Sequence, residues 1–178
     1  MAKPSAKNEP KKAGFHVEVS HERVALPNGC EVMLDIVHHP GAAAVVPFVA
    51  EDEVVLIRQF RHAAGGTILE VPAGKLDPGE PPERCAAREL TEEAGYRAGR
   101  IVALGSIWTT PGFTDEVIHL FAAFDLTRAA SQPDDDEVIE VIRVPLAHAL
   151  ELVWRGELRD AKSALALIHA ARHVGRLA

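Results

Sequence analysis

The sequence has few cysteines and no long apolar run. Its two cysteines, Cys30 and Cys85, cannot build a disulfide framework, and their spacing fits neither a zinc ribbon nor a CxxC redox pair. The longest apolar run, residues 42–50, contains Pro47 and is far too short to cross a bilayer. The N-terminal residues also lack the apolar segment of a signal peptide. We therefore expect a cytoplasmic protein with no membrane partner.

Basic residues are outnumbered, with 19 Lys and Arg against 26 Asp and Glu and a formal net charge of −7. Four of the lysines lie in residues 1–14, which show no periodicity and are expected to form a disordered tail. The rest of the chain is more acidic still. A nucleic acid is not an expected partner, because duplex binding depends on Lys and Arg that displace counterions. A small phosphate-bearing molecule can bind if cations or a few arginines neutralise the local field.

The length of 178 residues suits one domain, and strand patterns dominate it. Alternating residues around Asn28-Gly29 predict an N-terminal β-hairpin over residues 15–40. Since a lone hairpin is marginally stable, it should pack on the main domain, residues 41–178, or on a second copy of the chain. The order of elements favours an α+β fold over a regular βαβ repeat. Periodicity predicts further strands at 45–50, 54–60, 68–71, 101–108, 117–124 and 138–144, and helices near 81–94, 146–155 and 160–174.

The helix predicted at 81–94 gathers carboxylates on one face. Glu89, Glu92 and Glu93 span about 100° on the side opposite the apolar residues. Glu89 and Glu93 repel one another, and neither has a Lys or Arg three or four residues onward. An all-oxygen cluster of this kind suits a hard divalent cation, Mg²⁺ or Mn²⁺. Arg88 is expected to point about 90° away from Glu89, where it could pair with Glu80.

A charged helix face is most often simply solvated, but these residues belong to a longer pattern. Residues 74–95 read Gly, five residues, Glu, seven residues, Arg-Glu-aliphatic-x-Glu-Glu-x-Gly. This spacing resembles the box that defines the Nudix hydrolase family. One position departs, because Tyr96 stands where the family usually has an aliphatic residue, which affects local packing. The structural positions of the box in this sequence are Gly74, Glu80, Arg88 and Gly95.

The resemblance implies a Nudix fold, with a mixed sheet sandwiched between helices, over residues 41–178. It also implies metal-assisted hydrolysis of a nucleoside diphosphate linked to another group. By the same resemblance, Glu89, Glu92 and Glu93 hold the metal together with the backbone carbonyl of Ala73. Bound cations would let an acidic protein accept a pyrophosphate and would activate a water molecule for attack on phosphorus.

Other segments resemble the ADP-ribose pyrophosphatase subfamily. They are Gln59-Phe60-Arg61, residues 69–74, Pro111 in the stretch 109–116, and residues 137–141. The resemblance implies cleavage of ADP-ribose to AMP and ribose 5-phosphate, and a homodimer in which the N-terminal strands exchange. It implies a substrate contact from Arg61 and support of the ribose or phosphate by Glu70. Pro111 and Glu116 complete the predicted substrate-binding residues.

Two alternatives remain open at this point. Some relatives stack adenine on N-terminal aromatic residues. Residues 1–47 of this sequence contain a single aromatic residue, Phe15, so adenine selectivity is less secure than pyrophosphate cleavage. GDP-mannose or another nucleotide sugar is therefore an alternative substrate. A non-catalytic Nudix-fold nucleotide sensor is an alternative of a different class, although the box carboxylates are all retained.

The general base is predicted to come from the acidic stretch at 132–137. Metals would occupy the helix carboxylates and depress their basicity, so the base should lie on a separate segment. Glu137 matches the family position best, and Asp136 and Glu140 are the alternates.

Several other reactive or aromatic residues are expected to be structural. His38 and His39 alternate along a strand, and His169 and His173 are expected at the surface, since no third zinc ligand accompanies them. Cys85 is expected to be inert. Trp108 and Trp154 are expected in the core or in an interface.

Overall fold

The computed structural model of the protein describes residues 18–131 and 138–177. The predicted tail at 1–14 and the predicted base Glu137, with its neighbour Asp136, lie outside these residues. Within them the chain forms eleven β-strands, three α-helices and one short 3-10 helix, His62–Ala64.

The N-terminal hairpin pairs β1, Glu18–Ala25, with β2, Glu31–His38, in antiparallel register. Its connection is a five-residue loop in which the Leu26 amide donates to the Cys30 carbonyl at 2.8 Å. The Asn28 side-chain oxygen accepts the Cys30 amide at 3.0 Å. Gly29 has a φ of 82°, a conformation that glycine adopts without steric cost. Asn28-Gly29 therefore turns the chain as predicted, within a longer loop.

The hairpin attaches to the body of the protein at its second strand. The Val37 amide donates to the Phe113 carbonyl at 2.8 Å, and the Asp115 amide donates to the Val37 carbonyl at 3.3 Å. Several apolar side chains of the hairpin remain exposed, among them Val19 and Met33. The hairpin thus projects from the body and keeps apolar surface uncovered within one chain.

The strands after the hairpin are β3 Ala42–Ala50, β4 Glu53–Arg61, β5 Gly66–Glu70, β6 Ala73–Lys75, β7 Tyr96–Arg97, β8 Arg100–Trp108, β9 Val117–Phe124, β10 Thr127–Arg128 and β11 Ile139–Pro145. The central sheet is mixed, because β3 and β9 run parallel while the other neighbours run antiparallel. Its order is β11-β4-β3-β9-β8, with β5 beside β4 and β6 beside β3. Two short strands, β7 and β10, form a separate ribbon.

Helices cover both faces of this sheet. They are α1 Pro82–Ala94, α2 Leu146–Trp154 and α3 Ala161–His173. In β3, Ala44 and Val46 belong to the core shared with α2 and α3, whereas Val45 belongs to the core shared with α1. This alternation follows from the two-residue period of a strand. A fully buried side chain such as Leu90 contributes about 1.5–3 kcal/mol through its burial, so α1 is held firmly on the sheet.

The departure at Tyr96 is accommodated by polar contacts as well as by packing. The Tyr96 ring is 3% exposed, and its hydroxyl accepts hydrogen bonds from Arg143 Nη2 at 2.9 Å and Nε at 3.1 Å. The Arg128 guanidinium lies 4.5 Å above the ring centroid, a cation–π contact. A tyrosine at this position therefore links β7 to β10 and β11.

The main elements lie where the sequence predicted them, and the differences are local. The short strands β6, β7 and β10 were not predicted, since two or three residues carry no readable periodicity. Trp108 and Trp154 are 71% and 61% exposed, so neither lies in the core of the single chain, and their place in an interface stays a prediction. In the described part of the chain, no helix combines the length and apolar character needed to span a membrane.

Candidate active site

Helix α1 begins and ends at residues that favour those ends. Pro82 occupies the first helical position, where its missing amide hydrogen costs nothing. Gly95 follows the last turn with a φ of 70°, and its amide donates to the Leu90 and Thr91 carbonyls, the left-handed cap that glycine favours. These residues mark where the helix begins and ends, while the packing of its buried apolar face, which includes Leu90, turns the carboxylates toward β6.

The carboxylates of α1 face β6 across a very close contact. Glu93 is 2% exposed, and its Oε2 accepts the Ala73 amide at 2.9 Å. Glu89 lies against Gly74 so closely that a Cβ at position 74 would stand 1.8 Å from Glu89 Oε1. Glycine at position 74 therefore makes room for the Glu89 carboxylate.

Arg88 connects the acidic residues of the box. It forms a two-pronged ion pair with Glu80, from Nε to Oε1 and from Nη2 to Oε2, both at 3.0 Å. The predicted pairing of Arg88 with Glu80 is confirmed. These hydrogen bonds lower the pKa of Glu80 to about 2, and they are the main cause of the raised Arg88 pKa.

The expectation that Arg88 points away from Glu89 is wrong. Arg88 Nη1 donates to Glu89 Oε1 at 2.6 Å and to Glu92 Oε2 at 3.0 Å. The long side chain turns its guanidinium back over the helix face, so one nitrogen bridges two carboxylates. Arg88, which precedes both glutamates in the box, thus reduces the charge repulsion on the acidic face of the helix.

The donor set suits a hard divalent cation, although the described residues do not present a preformed metal site. No group of three His, Cys, Asp or Glu side chains converges as metal ligands among residues 18–131 and 138–177. Arg88 engages Glu89 and Glu92, and the Ala73 amide engages Glu93. All available donors are carboxylate or carbonyl oxygens, and Gly74 leaves space for Glu89 beside them. This chemistry fits Mg²⁺ or Mn²⁺ once Arg88 releases the two carboxylates.

A cleft of about 720 Å³ joins the α1 carboxylates to a group of cations. Glu89, Glu92 and Gly74 line one part of it, and Arg61 and Lys162 line another. Of the predicted substrate-binding residues, Arg61 and Glu116 border this cleft. Pro111 lies in the exposed loop before Glu116 and is not among the lining residues.

Glu70 lies behind Arg61 and not in the cleft wall. Its carboxylate is 1% exposed and accepts two hydrogen bonds from Arg61, from Nε and Nη2, both at 2.9 Å. Lys162 Nζ donates to Glu70 Oε2 at 2.8 Å. Burial by itself raises the pKa of Glu70, but the Arg61 hydrogen bonds and the charge of Lys162 outweigh it and lower the pKa below its ordinary value. Glu70 is therefore held as an anion.

The loop that carries Glu116 is tied to the end of the hairpin. Glu116 Oε2 accepts the Thr109 hydroxyl at 2.8 Å, and Glu116 Oε1 lies 3.4 Å from His39 Nδ1. His38 Nδ1 pairs with Asp115 Oδ2 at 2.7 Å. The Asp115 hydrogen bond is the main cause of the raised pKa of His38. His38 thus has a structural contact, whereas His39 also lines the cleft.

Cys85 and the two histidines of α3 have the environments that were expected of them. Cys85 is buried, donates to the Gly74 and Lys75 carbonyls, and has its pKa raised to about 12, mainly by burial. Such a thiol is protonated at neutral pH and is a poor nucleophile. His169 and His173 are exposed on α3.

Glu140, an alternate base, is an exposed residue of β11 whose Oε2 lies 3.4 Å from Arg58 Nη1.

Sequence reasoning missed Lys162, Asp160 and His39 as cleft residues. Asp160 and Lys162 lie at the start of α3, about 100 positions beyond Arg61 in the sequence, and nothing local joins the two segments. One signal was present, because a lysine in the first turn of a helix opposes the helix dipole. A lysine at this position is therefore expected to have an acidic partner elsewhere in the fold.

Comparisons with known proteins identify the family. The model of the NUDIX domain matches residues 37–166. The chain is 43% identical over 157 residues to an ADP-ribose pyrophosphatase of Bacillus subtilis (strain 168), covering 87% of this chain and 85% of the relative. It is 41% identical over 138 residues to a GDP-mannose pyrophosphatase of Cronobacter sakazakii, covering 72% of each.

A solved structure supports the fold independently of close sequence similarity. It is described as an ADP compounds hydrolase and superposes with a TM-score of 0.77, covering 94% of this chain and all of that chain, at 24% identity. At this identity the likeness bears on the fold, and the predicted Nudix fold with its mixed sheet between helices is confirmed. With the family match spanning most of the sequence, the chain belongs to the Nudix family of hydrolases.

Proposed function

We propose that the protein hydrolyses the pyrophosphate bond of ADP-ribose, adding water across the P–O–P bridge to give AMP and ribose 5-phosphate. The observation that carries the proposal is the single cleft that joins the box carboxylates to Arg61 and Lys162. Its volume of about 720 Å³ lies in the range typical of small-molecule sites. The B. subtilis relative is named for the same activity.

Hydrolases of this family generally use divalent metal ions, and we assign Mg²⁺ or Mn²⁺ to the carboxylate part of the cleft. Glu89, Glu92 and Glu93, with the backbone carbonyl of Ala73, are the residues that would hold it. When bound, such an ion supplies charge neutralisation of the pyrophosphate and lowers the pKa of a coordinated water. The chain's own contribution is to orient the carboxylates, with Gly74 giving Glu89 room and the Glu80 ion pair retaining Arg88 nearby.

The cationic part of the cleft is assigned to the remainder of the substrate. Arg61 presents a planar guanidinium, which suits phosphate oxygens, and Lys162 adds a second positive charge. Glu116, whose carboxylate accepts a hydrogen bond from the Thr109 hydroxyl, would accept one from a ribose hydroxyl. Pro111 would act by shaping the loop that carries Glu116.

The general base is assigned to Glu137, with Asp136 and Glu140 as alternates. Glu137 and Asp136 are outside the described residues, and the assignment rests on the family pattern. It is supported by the neighbouring backbone, because the Val138 carbonyl accepts the Phe60 amide at 3.4 Å, next to Arg61. The chain that follows Glu137 therefore runs beside a cleft residue.

We also assign the exposed hairpin to a homodimer contact. Val19 and Met33 are 49% and 60% exposed in the single chain, and a two-stranded hairpin gains stability by packing against further structure. A symmetric exchange of hairpins would cover such apolar surface in both copies. A cytoplasmic location, expected from the cysteine content, stays a prediction.

GDP-mannose is the second candidate substrate. It is favoured by the 41% identical C. sakazakii relative, which is named for that activity. Both substrates present the same pyrophosphate to the carboxylates and differ in the base and the sugar.

The test is a panel of nucleoside diphosphate sugars incubated with Mg²⁺ and with Mn²⁺, with products separated by chromatography. We expect kcat/KM to be highest for ADP-ribose, with AMP and ribose 5-phosphate in equal amounts. A higher kcat/KM for GDP-mannose would transfer the assignment to the second candidate. No turnover of any member would instead favour a nucleotide sensor.

A further inference from the structure

Glu70 is a buried carboxylate at the end of β5 whose two oxygens are both engaged. Arg61 binds it through a two-pronged ion pair, and Lys162 binds the same carboxylate from α3. At 1% exposure, Glu70 has no surface with which to contact a bound substrate directly.

The two partners of Glu70, in contrast, both reach the cleft. The side chains of Arg61 and Lys162 are 40% and 15% exposed, and both line the cleft that holds Glu89 and Glu92. Two like charges held around one carboxylate would repel each other without it. Glu70 thus joins two cations that the chain brings from separate segments.

The position of Lys162 is not explained by the stability of its helix. It is the second residue of α3, where a cation opposes the positive end of the helix dipole. Asp160 caps this helix by accepting the Ser163 amide at 3.0 Å, and it also accepts a hydrogen bond from Lys162 Nζ at 2.9 Å. The Ser163 hydroxyl accepts the Val71 amide at 2.8 Å. The start of α3 is thereby fastened to the residue that follows Glu70.

We propose that Glu70 is a positioning residue that holds Arg61 and Lys162 together as one cationic clamp for the substrate's phosphate or ribose portion. The proposal rests on the proposed function and deepens it. Glu70 acts through the two cations and does not touch the substrate. It also keeps them from turning onto the acidic residues of the same cleft, which must stay available to a metal and a sugar.

Glu70→Gln tests the proposal, because it keeps the shape of the side chain and removes its charge. Loss of a well-placed contact with a charged group should raise the KM for ADP-ribose by about tenfold or more. Because the α1 carboxylates are untouched, kcat should stay within about threefold, and the Kd for Mn²⁺ from calorimetry should be unchanged. In a Lys162→Met background, the same substitution should raise KM by a smaller factor than in the wild type, since one arm of the clamp is already gone.

Ser163→Ala is the matched structural control. It removes the hydroxyl that fastens α3 to β5 and leaves the charges of Glu70, Arg61 and Lys162 in place. We expect a lower Tm with KM unchanged. If Glu70→Gln does not fold, Glu70→Asp retains the charge with a shorter reach and should show the same rise in KM at a smaller size.

Three results would overturn the proposal. The first is a Glu70 variant that loses kcat at an unchanged KM. The second is a Ser163→Ala variant whose KM rises as much as that of Glu70→Gln. The third is an equal rise in KM from Glu70→Gln in the wild type and in the Lys162→Met background. Failure of the proposed function gives a different outcome. A wild type that cleaves GDP-mannose and not ADP-ribose refutes the substrate assignment. The KM values of Glu70→Gln and the wild type are then compared with GDP-mannose as the substrate. A wild type that cleaves neither overturns both.

Discussion

Gly74→Ala is the smallest change that should disable the carboxylate part of the cleft. The backbone φ at position 74 is not positive, so alanine meets no backbone strain there. Its Cβ would, however, stand 1.8 Å from Oε1 and 2.2 Å from Cδ of Glu89. The substitution therefore acts on Glu89 through a steric clash alone.

The size of the effect follows from that clash. Restoring an ordinary contact requires the Glu89 carboxylate to move by about 1.5 Å, which also breaks its 2.6 Å ion pair with Arg88. Overpacking of this kind costs roughly 1–3 kcal/mol of folding stability. A misplacement of about 1 Å can cost about a hundredfold in rate, and disturbing the support of a metal ligand weakens metal affinity by about 10–100-fold.

Two assays separate these effects. Calorimetric titration with Mn²⁺ measures metal affinity, and hydrolysis of ADP-ribose at saturating metal measures turnover. Gly66→Ala is the control, since a Cβ at position 66 would meet nothing within 4 Å, and it should leave both quantities near their wild-type values. A Gly74→Ala protein with wild-type metal affinity and turnover would refute the role given to Glu89.

Three further predictions concern the base, the dimer and the tie between hairpin and loop. Glu137→Gln should lower kcat by at least about a hundredfold with KM little changed; near-normal turnover of this variant beside a crippled Asp136→Asn or Glu140→Gln would move the role to that neighbour. Light scattering at micromolar concentration should give twice the chain mass of 19.2 kDa, and a monomer mass would refute the dimer. The His38 imidazole should titrate above its ordinary pKa of 6.5 in an NMR titration, so its contact with Asp115 contributes stability in full below pH 6.5 and loses it as pH rises through the folded-state pKa. Asp115→Asn should bring the His38 pKa down, and an unchanged value would contradict the assigned cause.

Much of the fold was predictable because its signals are local. The bounds of α1 follow from Pro82 and Gly95, whose backbone preferences mark the two ends of a helix. The pairing of Arg88 with Glu80 follows from the spacing of the box. In the larger strands, runs of alternating or apolar residues are long enough to read, as in β9, Val117–Phe124.

The rest depends on contacts between segments that are distant in sequence or on the choice of side-chain rotamer. Lys162 meets Glu70 across 92 positions, and no local pattern links them. Helical angles placed Arg88 away from Glu89, but they describe Cβ directions, and a long guanidinium can turn back over its own helix. His39 lies in the cleft because Asp115 and Glu116, in the body of the protein, hold the end of β2 beside it.

Pyrophosphate cleavage by this protein has a proposed requirement for a metal held by the α1 carboxylates. Its most direct test is hydrolysis of ADP-ribose by wild type and by Glu93→Gln, measured after treatment with EDTA and again after addition of Mg²⁺ or Mn²⁺. We expect wild-type activity to disappear with EDTA and to return with either ion. Glu93→Gln should keep its fold by circular dichroism and recover little turnover. Full activity in the metal-stripped wild type, or full recovery of Glu93→Gln, would contradict this requirement for a metal.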